Sequence, residues 1–130
     1  MVQYVVLRED LWSQLGWPLG PVVAQACHAS AAALWESRES AATRAYCAPE
    51  AIRHMTKVLL QVKDEKALLD AARKLGEAGV AHHLWVEEPE GIPTALATAP
   101  GPRDAAKKAL KKARLCSPPI GAALGGGAQT

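Results

Sequence analysis

The 130-residue chain reads as a single α/β domain: a three-layer α/β/α arrangement built on a mixed four-stranded sheet. Three observations predict it. Short β-branched apolar runs alternate with amphipathic stretches of helical period, the order that builds parallel sheets. Hydrophobic residues make up 49% of the chain, enough for a core at this length without covalent staples. The connection between the last two strands is too short for a crossover, so the fourth strand must run antiparallel.

The elements follow in order. Residues 2–7 (VQYVVL) form the first strand, and residues 8–20 a polar loop holding Trp12, Trp17 and Pro18. Residues 21–36 read as a helix with Pro21 at its first position, where a missing N–H would be unpaired anyway. A second helix covers residues 38–47 and is limited by Pro49. Residues 57–62 (KVLLQV) are the second strand. Asp64 caps a helix reaching about residue 78, Gly79 ends it, and Leu68, Leu69, Ala72 and Leu75 form its apolar stripe. Residues 82–87 are the third strand, residues 89–93 a turn, residues 94–99 the fourth strand and residues 103–115 the last helix. Crossover helices make the first three strands parallel. The Gly/Ala/Pro-rich stretch 116–130 has little to bury and is expected to be a disordered tail, which places the domain at residues 1–115.

Composition excludes several classes. Cys27, Cys47 and Cys116 are odd in number and lack metal-ligand spacing, which argues against a disulfide framework and for a reducing, cytoplasmic setting. The first residues do not read as a signal peptide. No stretch approaches the roughly 20 apolar residues that span a bilayer, so no membrane association is expected. His82 and His83 are neighbours on a strand and point to opposite faces, so they cannot chelate one ion together. No metal and no organic cofactor are expected. Net charge is +2, but residues 103–114 hold six basic residues and one acid, a net +5, which leaves −3 for the rest. Lys107, Lys108, Lys111, Lys112 and Arg114 form either a solvated face or a docking surface for phosphate.

Ligands in such sheets gather at the carboxyl ends of the parallel strands. Those ends lead here into residues 9–20 with the start of the first helix, and into residues 87–93. Gln25 and His28 are three apart and share a helix face near the N-terminal end, where free N–H groups and the helix dipole favour anions. The bland alternative is a His28 that only bonds a neighbouring loop. Glu88 sits between Glu87 and Glu90, and clustered carboxylates can raise one pKa toward that of a general base; a solvated acidic turn is the equal alternative. Trp12 and Trp17 can stack a base or pack as a lid over the first helix. Trp35 and Trp85 read as core, and Cys27 as a small packed hydrophobe.

The segment Gly20-Pro21-Val22-Val23-Ala24-Gln25-Ala26-Cys27-His28-Ala29 resembles the G-K-V-A-A-Q-x-x-H-A motif of type II peptidyl-tRNA hydrolases. The likeness continues through residues 57–62, the Asp64-Glu65 helix start, the third strand and the Pro-rich entry to the last helix, covering about residues 2–115. Trp17-Pro18 and Leu84-Trp85-Val86-Glu87 with Pro89-Glu90 look like the divergent subgroup called peptidyl-tRNA hydrolase domain-containing protein. The resemblance implies a cofactor-free esterase cleaving a peptide from the 3′ end of tRNA. It implies catalytic roles for Gln25, His28 and Glu88, and substrate contacts from Trp17, Thr94, Lys107, Lys108 and Lys111. The family's lysine at the helix start falls on Pro21 here, its acidic residue after the third strand falls on Glu88, and its Gly-Thr turn is shortened. The alternative is therefore a tRNA-binding member without turnover. tRNA is the expected partner, and a homodimer is left open.

Overall fold

In the computed structural model, residues 1–118 are described. The chain runs β1 (Gln3–Arg8), α1 (Asp10–Ser13), α2 (Leu19–Glu36), α3 (Ala41–Tyr46), a 3-10 turn (Ile52–His54), β2 (Lys57–Val62), α4 (Glu65–Glu77), β3 (His82–Glu87), β4 (Ile92–Thr98), α5 (Arg103–Lys107) and β5 (Arg114–Leu115). The sheet order is β3-β4-β1-β2-β5. β1 and β2 are parallel, while β4 runs antiparallel to both β1 and β3.

The mixed sheet and the reversed fourth strand agree with the sequence, but the sheet has five strands among the described residues rather than four. The expected helix over residues 103–115 stops at Lys107, and Arg114–Leu115 return as β5, antiparallel to β2. The reason is the open edge of β2. Arg114 donates to Glu9 at 2.8 Å, and Gln61 donates to the same carboxylate. Cys116 N–H reaches Leu59 O at 2.9 Å and Ser117 N–H reaches Gln61 Oε1 at 2.7 Å. These bonds satisfy a strand edge that a helix would leave bare. Cys116 and Ser117 of the expected tail are thus attached to β2, and residues 119–130 lie outside the described residues.

Strand alternation divides the core in two. Val5, Leu7, Ala95 and Ala97 pack against Val22, Ala29 and Ala33 of α2. Val6, Leu60, Val62 and Leu96 pack against Leu68, Ala71 and Leu75 of α4 and against Ala106 and Leu110. α2 therefore covers one face, and α4 with α5 the other. α4 begins as expected, with the Asp64 side chain accepting from Ala67 N–H at 3.0 Å, and it ends at Gly79 with φ +72°. Its buried stripe is Leu68, Ala71 and Leu75; Leu69 faces outward. α2 starts two residues earlier than predicted, so Pro21 is the third helical residue, still among the positions whose N–H has no intrahelical partner.

Three single-residue expectations are corrected. Trp35 is 67% exposed rather than core, with the Arg38 guanidinium 4.2 Å over its ring. Cys27 is exposed, because it lies on the face of α2 turned away from the sheet. Trp85 is half-buried and belongs to the site described below. The 8–20 loop also contains an unexpected helical turn, α1, whose Leu11 is fully buried.

Replacing Leu75 by Ala should lower stability by about 2–5 kcal/mol, since the side chain is wholly enclosed. Asp64→Ala should lower it by about 1 kcal/mol through loss of the cap. Chemical denaturation of both variants checks the order; equal losses would mean α4 is not seated as described.

Candidate functional site

α2 lies across β3 and β4, and two of its residues, Gln25 and His28, meet them. Gln25, on the second turn, is buried, and its Oε1 accepts from Thr94 Oγ1 at 2.7 Å. Thr94 would not ordinarily face α2: Leu96 on the same strand belongs to the α4 side, and residues two apart share a face. A β-bulge changes this. Trp85 pairs with Ala95 and Val86 with Pro93, so Thr94 is the extra residue with no partner in β3. Bulges re-aim side chains in this way, and Pro93, which cannot donate to a ladder, fits beside one.

Arg8 supports the bulge from behind. It is 6% exposed, yet its guanidinium donates to Pro93 O at 2.9 Å, to both oxygens of Asp10 at 2.8 and 2.7 Å, and to Glu65 at 3.3 Å. The hydrogen bond to Asp10 holds the guanidinium pKa above its ordinary value. One buried cation therefore joins β1, α1, α4 and the residue just before Thr94.

His28, one turn beyond Gln25, is exposed and stacks on the Trp85 ring with centroids 4.5 Å apart and planes within 17°. Trp85 Nε1 donates to Glu87 Oε1 at 3.1 Å. His83 shares this face of β3, with its ring 6.0 Å from Trp85 and its Nδ1 2.8 Å from Glu36. His82 turns the other way, its Nδ1 2.9 Å from Val80 O. The two adjacent histidines thus lie on opposite faces.

The structure brings together Gln25, His28 and Thr94 of the sequence-predicted residues. Glu88 lies in the exposed turn after β3, and Glu87 is the carboxylate bonded to Trp85. Trp12 and Trp17 both pack against the α2-side core. Lys107, Lys108 and Lys111 are exposed on the layer formed by α4 and α5, on the opposite side of the sheet from Gln25. Lys63, Lys66, Lys74 and Lys112 join that layer, lining with Asp64 and Asp70 a groove of about 380 Å³. Sequence reasoning missed Trp85, Glu87 and Arg8. Period two along β3 was the available signal for the first two, since residues 83, 85 and 87 share one face. Only Asp10 lies near Arg8 in the chain; its other partners, Glu65 and Pro93, come from two distant segments.

Residues 1–116 match the family model described as "Peptidyl-tRNA hydrolase PTH2". A human protein named "Putative peptidyl-tRNA hydrolase PTRHD1" is 43% identical over 116 residues, covering 88% of this chain and 81% of its own length. The Mus musculus protein of the same name gives the same figures. A Dictyostelium discoideum protein named "Probable peptidyl-tRNA hydrolase 2" is 28% identical over 123 residues, covering 87% of this chain and 53% of its own. Among solved structures, Atu0240 of Agrobacterium, a protein of unknown function, shares the fold, with a TM-score of 0.54 at 15% identity over 88% of this chain and 96% of that one. By the match over nearly all of its described length, the chain belongs to the PTH2 family of peptidyl-tRNA hydrolases.

Proposed function

We propose that the protein hydrolyses the ester between a peptide, or an N-blocked amino acid, and the 3′ end of tRNA, at the junction of α2 and β3. The observation that carries this reading is the buried Gln25 amide, fixed by Thr94 from a bulge, one helical turn from a histidine stacked on a tryptophan whose Nε1 holds a carboxylate. With Oε1 occupied by the Thr94 hydroxyl, Nε2 is the end of the amide left for a ligand, and it makes no hydrogen bond among the described residues. There it can donate to the carbonyl oxygen of the ester as negative charge develops.

A carboxylate at the end of β3 takes the proton from the attacking water. We assign this to Glu87, whose position is set by Trp85 Nε1, and not to Glu88, which has no such anchor among the described residues. Water adds to the acyl carbon, the bond to the ribose oxygen breaks, and the base returns its proton to that oxygen. The products are the tRNA hydroxyl and the peptide acid, which gives its proton to solvent at neutral pH and leaves as the carboxylate. His28, braced on Trp85, positions the terminal nucleotide, and Trp17 flanks the start of α2.

Lys107, Lys108, Lys111 and Lys112 hold the phosphate backbone of the tRNA on the opposite layer. Three free cysteines fit a reducing compartment such as the cytoplasm, and no helix among the described residues is long and apolar enough to cross a membrane. One observation favours a second reading, tRNA binding without turnover: the first turn of α2 carries Pro21 and no cation that could bind phosphate or an oxyanion. A homodimer would place its contact on the outer face of α2, where Leu19, Val23 and Trp35 are exposed.

Hydrolysis of N-acetyl-aminoacyl-tRNA tests the site. Gln25→Ala should lower kcat about 10²–10³-fold and Glu87→Gln about 10²–10⁴-fold. His28→Ala should act mainly on KM, and Glu88→Gln should stay near wild type. Rates unchanged in Gln25→Ala and Glu87→Gln would place the chemistry elsewhere. Turnover absent in wild type and gained in Pro21→Lys would establish the binding-only reading.

Replacing Lys107, Lys108, Lys111 and Lys112 by Ala should weaken tRNA binding and flatten the plot of log affinity against log salt by about 0.7–0.9 for each phosphate no longer neutralised, with kcat preserved. An unchanged slope would make this layer a solvated face.

A further inference from the structure

β3 lies at the end of the sheet, so only one of its sides is hydrogen-bonded among the described residues. The bond from Ala99 N–H to Ala81 O at 2.8 Å sets the phase of its ladder with β4. Residues along an antiparallel strand alternate between turning their backbone groups toward the partner and away from it. Ala81, His83 and Trp85 therefore face β4, opposite Ala99, Ala97 and Ala95. His82 and Leu84 present their N–H and C=O groups outward.

Exposed edges are normally blunted by charged side chains, by Pro, by a bulge or by a covering segment, and the bulge with β4 falls only after Trp85, beyond His82 and Leu84. The six residues of β3, HHLWVE, contain neither Lys nor Pro, whereas the opposite edge of β2 is closed by β5. The open edge also lies between two features that a peptide ester would need. At its C-terminal end stand Trp85, His28 and Glu87. At its N-terminal end opens a cavity of about 410 Å³, lined by residues that include Ala33, Glu36, Val80 and His82.

We propose that the edge of β3 binds the peptide part of the substrate as an added strand. This rests on the hydrolase site proposed above and extends it to the way the acyl group is held. The direction follows from the chemistry. The esterified carboxyl is the peptide's C-terminus and must lie at the Trp85–His28 end, so the peptide runs parallel to β3, with its N-terminal side toward the cavity. At about 3.3 Å per residue, the outward groups of His82 and Leu84 serve about three peptide residues. In a parallel pair these two residues bracket one peptide residue, whose N–H donates to His82 O and whose C=O accepts from Leu84 N–H. Such pairing uses main-chain groups alone and reads no side chain. A substrate whose peptide can have any sequence requires recognition of that kind.

The test uses amide-linked analogues, which cannot be hydrolysed: an RNA minihelix whose 3′-amino terminus carries N-acetyl-alanine, N-acetyl-tri-alanine, or tri-alanine N-methylated at the central residue or at its C-terminal neighbour. Two main-chain hydrogen bonds should make the tri-alanine analogue bind about tenfold tighter than the alanine one. Methylation at the central residue should remove most of that gain, and methylation next to it should not. Amide exchange at Leu84 should slow when the tri-alanine analogue is bound. Equal affinity for all four analogues, or unchanged exchange at Leu84, would overturn the proposal. If binding follows this pattern while the ester substrates are not cleaved, the hydrolase reading fails and the peptide edge stands. If the esters are cleaved and binding ignores methylation, the reverse holds.

Discussion

A buried hydrogen bond from Thr94 Oγ1 to Gln25 Oε1 fixes how the N-terminal half of α2 sits on the sheet at the candidate site. Both side chains are enclosed between α2 and β4, so each would lose about 1–3 kcal/mol if its partner were removed. The apolar contacts of α2 could not set its rotation alone. They come mostly from alanine and valine, and the helix carries small or apolar residues nearly all round. Directional polar contacts select the face, and with it the placement of His28 over Trp85: the Thr94–Gln25 bond on β4, and on β1 the buried Gln3, whose Nε2 donates to Ser30 O at 3.1 Å and whose Oε1 accepts from Ser30 Oγ at 2.7 Å. The bulge at Thr94 makes the contact geometrically available, and Arg8 holds the carbonyl of the residue before it.

Parts of this arrangement are written locally in the chain, and others are not. α4 was legible because its cap, its apolar period and its terminating glycine all lie within sixteen residues. β2 and β3 were legible with their observed limits because short apolar strands bounded by polar residues leave little freedom. The antiparallel run of β4 followed from the length of a single turn. The last segment was misread because Lys107, Lys108, Lys111 and Lys112 have helical spacing, whereas the fate of residues 108–115 is decided by the unpaired edge of β2, some fifty residues away. Gln25 and His28 could be found from the motif that contains them. Their partners could not: a bulge depends on pairing register, and Arg8 gains its meaning only once β1, α1, α4 and β4 have met.

The separation of charge and chemistry also follows from the fold. Each face of the sheet is covered by one helical layer, so the lysines of the α4 side and the amide of the α2 side cannot share a pocket. A tRNA bound to both must use its backbone on one layer and its terminal nucleotide on the other. Affinity and turnover should therefore separate among variants, because the phosphate contacts contribute through screened Coulomb attraction and the site through short, directed bonds. The acidic turn of Glu87, Glu88 and Glu90 at the mouth of the site is consistent with this division. In the proposed reaction it would repel phosphate near the ester and leave a carboxylate beside it.

The most direct measurement is the pair of steady-state constants for Thr94→Val, a substitution that keeps the shape of the side chain and removes the hydroxyl. If the Thr94 hydroxyl orients the Gln25 amide toward the developing oxyanion, kcat for N-acetyl-aminoacyl-tRNA should fall by about tenfold or more. KM should stay near wild type, and thermal unfolding should shift by no more than the loss of about one buried hydrogen bond implies. A folded Thr94→Val protein with undiminished kcat would contradict the account, since Gln25 would then act without the contact that is held to place it.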